Sequence, residues 1–511
     1  MRKKIVTKNE TINSTENRNF FKFSIIFVIL YSFIIFGVRL MMLLKSDFPT
    51  GLDGFFYALQ AKSLVVNGAL ENPDHEIGYF LCGFWAKIFN NVFLGVKIQA
   101  ALSSTLISVL IFILLKIISQ EKNIIPILGL LISSVSVGIT LFNINYINNQ
   151  TGLVFFLSYC TALIYLLQNA GRFSKIKKNL LLLLCTILLV LSGLSHLVSA
   201  AYAFIFTAII LIRKLKIRNQ IILLTLACLC AVLLFFNQLP RFQSVFSLTP
   251  VLPCFSPVLM NLAGKAMCIE MSVYFVLTWC LGLFFFINKH KDQNCKKDFA
   301  FLLLIPVMFF PFWKLDELDM GYRMLLNAIP VSIPFNLYII SKIFDFSKIK
   351  ESKYATLVLF ITIFTTGLFF TPKLYNPKKD PPWKYYKSVV EKIDLPDDSL
   401  LIAHLPINHV YTYYCNLRDG LNYEADFYVP EGKTWRLAYG TNASYLQQFF
   451  GEFEEEELNQ LIMQLNGEYV LIREDLWQRY LKYEEDDIVD SLMNFYNPHT
   501  LRPEFIRKHE N

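Results

Sequence analysis

Acidic residues are missing from the middle of every long apolar run in this chain. A coupled carrier needs an ionisable group inside the membrane, so this absence argues against a secondary transporter or a lipid-linked-glycan flippase. There is no CxxC and no Cys/His spacing of the metal-binding kind, so a zinc module is excluded. No repeat period marks two related halves. The first apolar run is too long for a cleaved signal and lacks a small-residue cleavage site, so it is read as a membrane span. Charge is sparse: only 17% of the 511 residues are Asp, Glu, Lys or Arg.

What the chain does have is apolar length. Hydrophobic residues make up 54% of it and the mean hydropathy is +0.43, which excludes an ordinary soluble domain. The runs predict a polytopic α-helical membrane protein of about 11 transmembrane helices. They fall near 22–44, 96–118, 123–141, 151–170, 179–195, 197–212, 220–237, 271–288, 299–313, 323–343 and 354–371. Only "GLSH" separates the run ending at 195 from the run starting at 197.

Cations fall on alternate loops: "RKK", "GRFSKIKK", "RKLKIR", "NKHKDQNCKK" and "SKIKESK". The loops between them, such as "FNINYINNQ" and "KLDELDMG", carry few or none. By the positive-inside rule the N-terminus is cytoplasmic, and an odd number of spans puts the C-terminal part outside. The charge split agrees, with 15 Lys/Arg against 24 Asp/Glu in residues 372–511 but 33 against 16 in residues 1–371. The net charge of +8 thus belongs to the cytoplasmic membrane face and signals no nucleic-acid partner.

The predicted organisation is a disordered tail at 1–20, a transmembrane domain at 21–371 with long outer loops at 45–95 and 238–270, and an extracytoplasmic α/β domain at 372–511. In the last, "WKYYKSVVEKI" reads as a helix, and "DDSLLIAHL" and "EYVLI" read as strands. "EEEE" at 454–457 is a solvated helix surface, and His404 and His409 read as structural. Most of the ten cysteines lie inside spans as small apolar residues; Cys254 and Cys268 share one outer loop, a spacing that allows a bridge without requiring one.

The stretch "GLDGFFYALQAKSLVVNG", at 51–68, follows the first span and places Asp53 at the head of a helix. Asp53, Tyr57, Gln60 and Asn67 then share one side, while Phe55, Phe56, Leu59, Val65 and Val66 fill much of the rest. Asn67-Gly68 supplies a left-handed stop. Such a helix is expected in the membrane interface, with its apolar side in lipid. Asp53 is either a simple N-cap or a functional acid.

Around it, "YALQAKSLVVNG" and "HEIGYFLCGFWAKIF" resemble the first outer loop of GT-C glycosyltransferases, the group that includes protein O-mannosyltransferases and aminoarabinose transferases. "GLSHLVSAAYAF" and "DMGYRMLLNAIPVSIP" also resemble recurring pieces of that group. The resemblance implies transfer of a sugar from a polyprenyl-phosphate donor to an outer glycan, lipid or protein at the cytoplasmic (inner) membrane. Two departures stand out. Gly54 follows the acid where relatives often carry a second one, and "DHEIGYF" has His75 without the frequent prolines.

A phosphate leaves readily, so such chemistry needs one base and cations for the phosphate, and not the two carboxylates of glycoside hydrolysis. Asp53 is the candidate base, giving inversion at the sugar carbon. Arg323 is the leading phosphate contact, against a reading as an interface anchor. Arg39, Lys62, Lys97 and Lys265 are further cations, each also readable as a headgroup contact. Tyr57, Gln60, His75 and His196 are candidate substrate contacts. Asp316, Glu317 and Asp319 leave a divalent metal open without demanding one. The rival to an enzyme, besides a transporter, is a non-catalytic membrane scaffold.

Overall fold

The computed structural model describes residues 26–51, 53–71, 76–119, 124–212, 265–289 and 318–343. Beyond these it describes 361, 365, 370–377, 380, 383–391, 400–402, 409–410, 413–414, 435–439 and 467–473. The expected spans at 220–237 and 299–313, and nearly all of 354–371, lie outside these residues.

The chain is a mostly helical membrane protein. Its first helix, α1, runs Ile26–Leu43. Then come α2 (Gly54–Val66), α3 (Ile77–Phe89), α4 (Val92–Ser119), α5 (Ile124–Val135), α6 (Val137–Asn145) and α7 (Ile147–Asn169). These are followed by α8 (Lys175–Ser195), α9 (Leu197–Ile212), α10 (Lys265–Lys289), α11 (Leu318–Ile343) and α12 (Trp383–Val390). Among the described residues α1, α4, α7 and α8 are long and apolar enough to cross a membrane, and α5 with α6 makes a fifth candidate bent by 50°. Pro330 and Pro334 sit inside α11, where each removes a backbone donor from the helix ladder.

The chain divides into two compact units. Unit 1 takes residues 1–45, 74–81 and 97–375; unit 2 takes 46–73, 82–96 and 376–511. The segment 46–96 is therefore shared between the units, and α2 belongs with the segment from 376 onward.

The core of unit 1 is built from α4 to α11, with Ile107, Ile111, Phe142, Phe156, Phe206, Met271 and Ile329 fully buried. Tyr31 of α1 joins it through a 2.7 Å hydrogen bond to Ser134 Oγ of α5. Thr278 of α10 and Asn336 of α11 bond to each other at 3.2–3.3 Å.

Unit 2 contains a three-stranded sheet of β1 (Leu400–Ile402), β2 (Trp435–Tyr439) and β3 (Gly467–Arg473), in the order β1-β3-β2. β1 pairs parallel with β3, and β2 antiparallel, with Leu437 opposite Leu471. β1 and β3 coincide with the two expected strands. β2 is additional: "WRLAY" has only five residues, although the Pro430-Glu431-Gly432 turn signal stands just before it.

Candidate functional site

In unit 2 the chain reaches α2 through a tight approach. Gly51 takes a left-handed φ of 78°, and its N–H donates to Asp380 Oδ1 at 3.2 Å. Asp53 follows at the N-cap position with φ −89° and ψ 8°. Its backbone carbonyl accepts from Tyr57 N at 3.1 Å, but its half-buried side chain makes no capping hydrogen bond. The carboxylate is thus not spent on the free N–H groups of its own helix, the simplest use for an acid there. At the other end Gly68 has φ 71°, the expected left-handed stop.

Gly54 has a local reason. A Cβ there would meet the backbone carbon of Pro49 at 2.9 Å and its oxygen at 3.0 Å. Backbone atoms cannot move aside as a flexible side chain can, so position 54 has no room for a second acid beside Asp53.

α2 is not an interface helix with one side in lipid. It is buried from Gly54 through Ser63 apart from the partly covered Phe56, and only its last turn opens, with Val65 exposed. The reason is an aromatic layer supplied from far along the chain. Phe55 meets Trp383 at 4.8 Å between ring centroids, Phe93 at 5.5 Å and Tyr413 at 5.6 Å. Phe56 meets His409 at 5.1 Å. Lys62 donates from Nζ to the Tyr413 carbonyl and lies 4.6 Å from that ring's centroid. Tyr57, Gln60 and Lys62 are all buried. His409 is half-buried, and its apolar surroundings lower its pKa to about 4.

In unit 1 the polar groups gather at helix breaks. The α5–α6 break is held at both ends. Arg39, 1% exposed, donates from Nη2 to the Ser133 carbonyl at 3.2 Å, with the Ser134 carbonyl at 3.5 Å. Ser136 caps α6 by accepting from Ile139 N. Glu270 Oε2 accepts from Gly138 N at 2.7 Å. A cation therefore meets the C-terminal carbonyls of α5 and an anion the N-terminal N–H groups of α6, each complementing the local dipole. Nε and Nη1 of Arg39 have no hydrogen-bond partner among the described residues.

A second polar centre surrounds the start of α7. Gln99 Nε2 donates to Ser103 Oγ at 2.9 Å and to Thr151 Oγ1 at 3.2 Å. A Cβ at Gly152 would lie 2.6 Å from Ser199 Oγ and 3.1 Å from His196 Cβ, so the α8–α9 break packs against the first turns of α7. His196 terminates α8, and its Nδ1 accepts from Val198 N at 3.3 Å. Lys97 is buried in α4, two positions before Gln99.

Among the candidates read from sequence, Asp53, Tyr57, Gln60 and Lys62 share α2 and its cap, while Arg39, Lys97 and His196 lie in unit 1. Lys265 starts α10 and Arg323 lies in the second turn of α11; their side chains, and all of His75, fall outside the described residues. Cys268 is buried in α10, and Cys254 lies outside the described residues. Sequence reasoning passed over Glu270 and the amides Asn143, Asn148, Asn149 and Gln150. The signal of the amides was visible as five Asn/Gln within the eight residues 143–150, between two apolar runs.

No protein-family model matches the sequence, and comparison with curated protein sequences finds no match. Solved structures do match. ArnT from Cupriavidus metallidurans in the apo state superposes with a TM-score of 0.50 at 10% identity, over 76% of this chain and 84% of that one. The same protein bound to undecaprenyl phosphate gives 0.48 at 9% identity, over the same shares. The chain shares the fold of ArnT, and at so low an identity the likeness is one of fold alone.

Proposed function

We propose that this chain is a glycosyltransferase that moves a sugar from a polyprenyl-phosphate donor to an extracytoplasmic glycan, lipid or protein. The observation that carries the reading is Asp53 at the head of α2, with a carboxylate that does not cap its helix. The GT-C fold supports the same class of chemistry.

In this reading Asp53 takes the proton from the acceptor hydroxyl as its oxygen attacks the anomeric carbon. The bond from the anomeric carbon to the phosphate oxygen breaks on the opposite face, the configuration inverts, and the lipid phosphate leaves with the electron pair. No general acid is required, because a phosphate is a stable anion. Arg323 is the proposed clamp on that phosphate, with Lys265 and Arg39 as further positive charge. Tyr57, Gln60, Lys62, His75 and His196 are proposed to shape the substrate site. The protein would sit in the cytoplasmic membrane with its N-terminus inside and residues 372–511 outside.

Mass spectrometry of lipid-linked sugars and surface glycans tests the proposal in cells with and without the chain. One unused donor should accumulate when the chain is deleted. Unchanged pools of both donors and glycans would overturn the reading.

A further inference from the structure

The α6–α7 junction, "NINYINNQ", has the composition of a solvated outer loop, yet the structure buries it. Asn143, Asn148, Asn149 and Gln150 are between 0 and 3% exposed. Both polar atoms of the Asn143, Asn148 and Gln150 side chains, and Nδ2 of Asn149, have no hydrogen-bond partner among the described residues. The last three residues stand in the first turn of α7. Amides withdrawn from water without partners are costly, and four together are unusual unless something else satisfies them. Ser199 Oγ, packed beside Gly152, is a further buried and unpartnered hydroxyl.

The chemistry of the unpaired atoms selects the ligand. Asn143, Asn148 and Gln150 offer carbonyl oxygens as well as NH2 groups, so the set contains acceptors and donors in similar number. A phosphate, which only accepts, would leave the carbonyl oxygens unpaired. A sugar hydroxyl both donates and accepts, and satisfies both kinds. From Asn123 to Gly171 the sequence has no Asp, Glu, Lys or Arg. Glu270, which packs on α6, is committed to Gly138 N. An amino group on the ligand would therefore find no counter-charge on α6 or α7 themselves; Glu76, just before α3, is the carboxylate two residues from Gly78. Room for the cluster is kept by Gly78 of α3, where a Cβ would fall 1.9 Å from Asn148 Oδ1.

We infer that the amide cluster Asn143, Asn148, Asn149 and Gln150 at the start of α7 is a binding subsite for a neutral, hydroxyl-rich sugar ring. The inference rests on the glycosyltransferase reading and narrows it to an uncharged sugar. The ring is that of the donor or of the acceptor.

Full-length protein in nanodiscs is titrated with three short-chain probes: bare polyprenyl phosphate, the same lipid carrying a neutral hexose, and the same lipid carrying an amino sugar. A free methyl hexoside forms a fourth arm. If the donor ring occupies the cluster, the neutral lipid-linked hexose binds about tenfold tighter than the bare lipid. If the acceptor ring does, the methyl hexoside binds without lipid. In either case the double variant Asn148→Leu/Gln150→Met abolishes the sugar-dependent gain. Retained affinity for bare lipid shows that the variant is folded. Asn148→Asp should shift preference toward the amino sugar. Equal binding of bare and sugar-bearing lipid, with no binding of the hexoside, overturns the subsite alone. A gain that survives the double variant does the same. Failure of the wild type to bind any lipid phosphate overturns the parent reading as well.

Discussion

The Arg39 guanidinium of α1 donates to the Ser133 carbonyl of α5 at 3.2 Å, joining residues 94 positions apart. The bond satisfies an end carbonyl that the break before α6 leaves without its helical donor. Replacing Arg39 with Met removes that donor and should cost about 1–3 kcal/mol, read as a lower unfolding midpoint in detergent. An unchanged midpoint would show that the break is held without it.

Glu270 does the matching task at the other side of the break, accepting from Gly138 N. Glu270→Gln keeps an acceptor oxygen and loses only the charge, so its cost should stay below about 1 kcal/mol. Glu270→Ala removes the acceptor and should cost about 1–3 kcal/mol. Equal effects in the two variants would contradict a role as an N-terminal acceptor.

Asp53→Asn should leave the fold intact, because it keeps the size of a half-buried side chain that does not cap α2. Turnover should fall about 10²- to 10⁴-fold, the usual contribution of a general base. Thermal unfolding and transfer of labelled sugar from a lipid donor, measured on one preparation, separate the two effects. Full activity in the variant would remove Asp53 from the mechanism.

The glycines give a graded series. A Cβ at Gly95 would lie 2.4 Å from the backbone nitrogen of Ala86, which has no freedom to withdraw, so Gly95→Ala should destabilise by about 1–3 kcal/mol or more. At Gly78 the obstacle is the Asn148 side chain, which can turn, so the cost should be smaller. Gly37 in α1 meets nothing within 4 Å, and Gly37→Ala should be neutral or stabilising by up to about 1 kcal/mol. Thermal midpoints of the three variants test the order.

His409 makes stability depend on pH. Its folded pKa of about 4 lies below the ordinary 6.5, so the folded state resists a proton that the unfolded state accepts. No penalty exists above about pH 6.5. Stability then falls as pH drops from 6.5 toward 4, by an amount on the order of 3 kcal/mol. His409→Phe, which keeps a ring against Phe56, should flatten that part of the profile. Parallel curves for the two proteins would contradict the assignment.

Much of the helical layout was legible in sequence because each helix records itself locally. Runs of apolar residues marked α1, α4, α7 and α8, and Gly68 marked the end of α2. "GLSH" marked the α8–α9 break at His196. The setting of α2 was not legible. Its polar and apolar sides pointed to an interface helix, and only the arrival of Trp383, His409 and Tyr413 buried both.

The sequence by itself determined that the chain enters the membrane repeatedly, carries no acid in the middle of its apolar runs, and sets Asp53 at the head of a helix. These follow from composition and short-range spacing, which act within a few turns of the chain. The tertiary structure alone decided that Gly54 has no room for a second acid, that Arg39 and Glu270 hold the α5–α6 break, and that the amides in the first turn of α7 are buried with side-chain atoms that have no hydrogen-bond partner among the described residues. Those facts depend on backbone and side chains brought together across long separations, where packing and hydrogen-bond geometry prevail over local pattern.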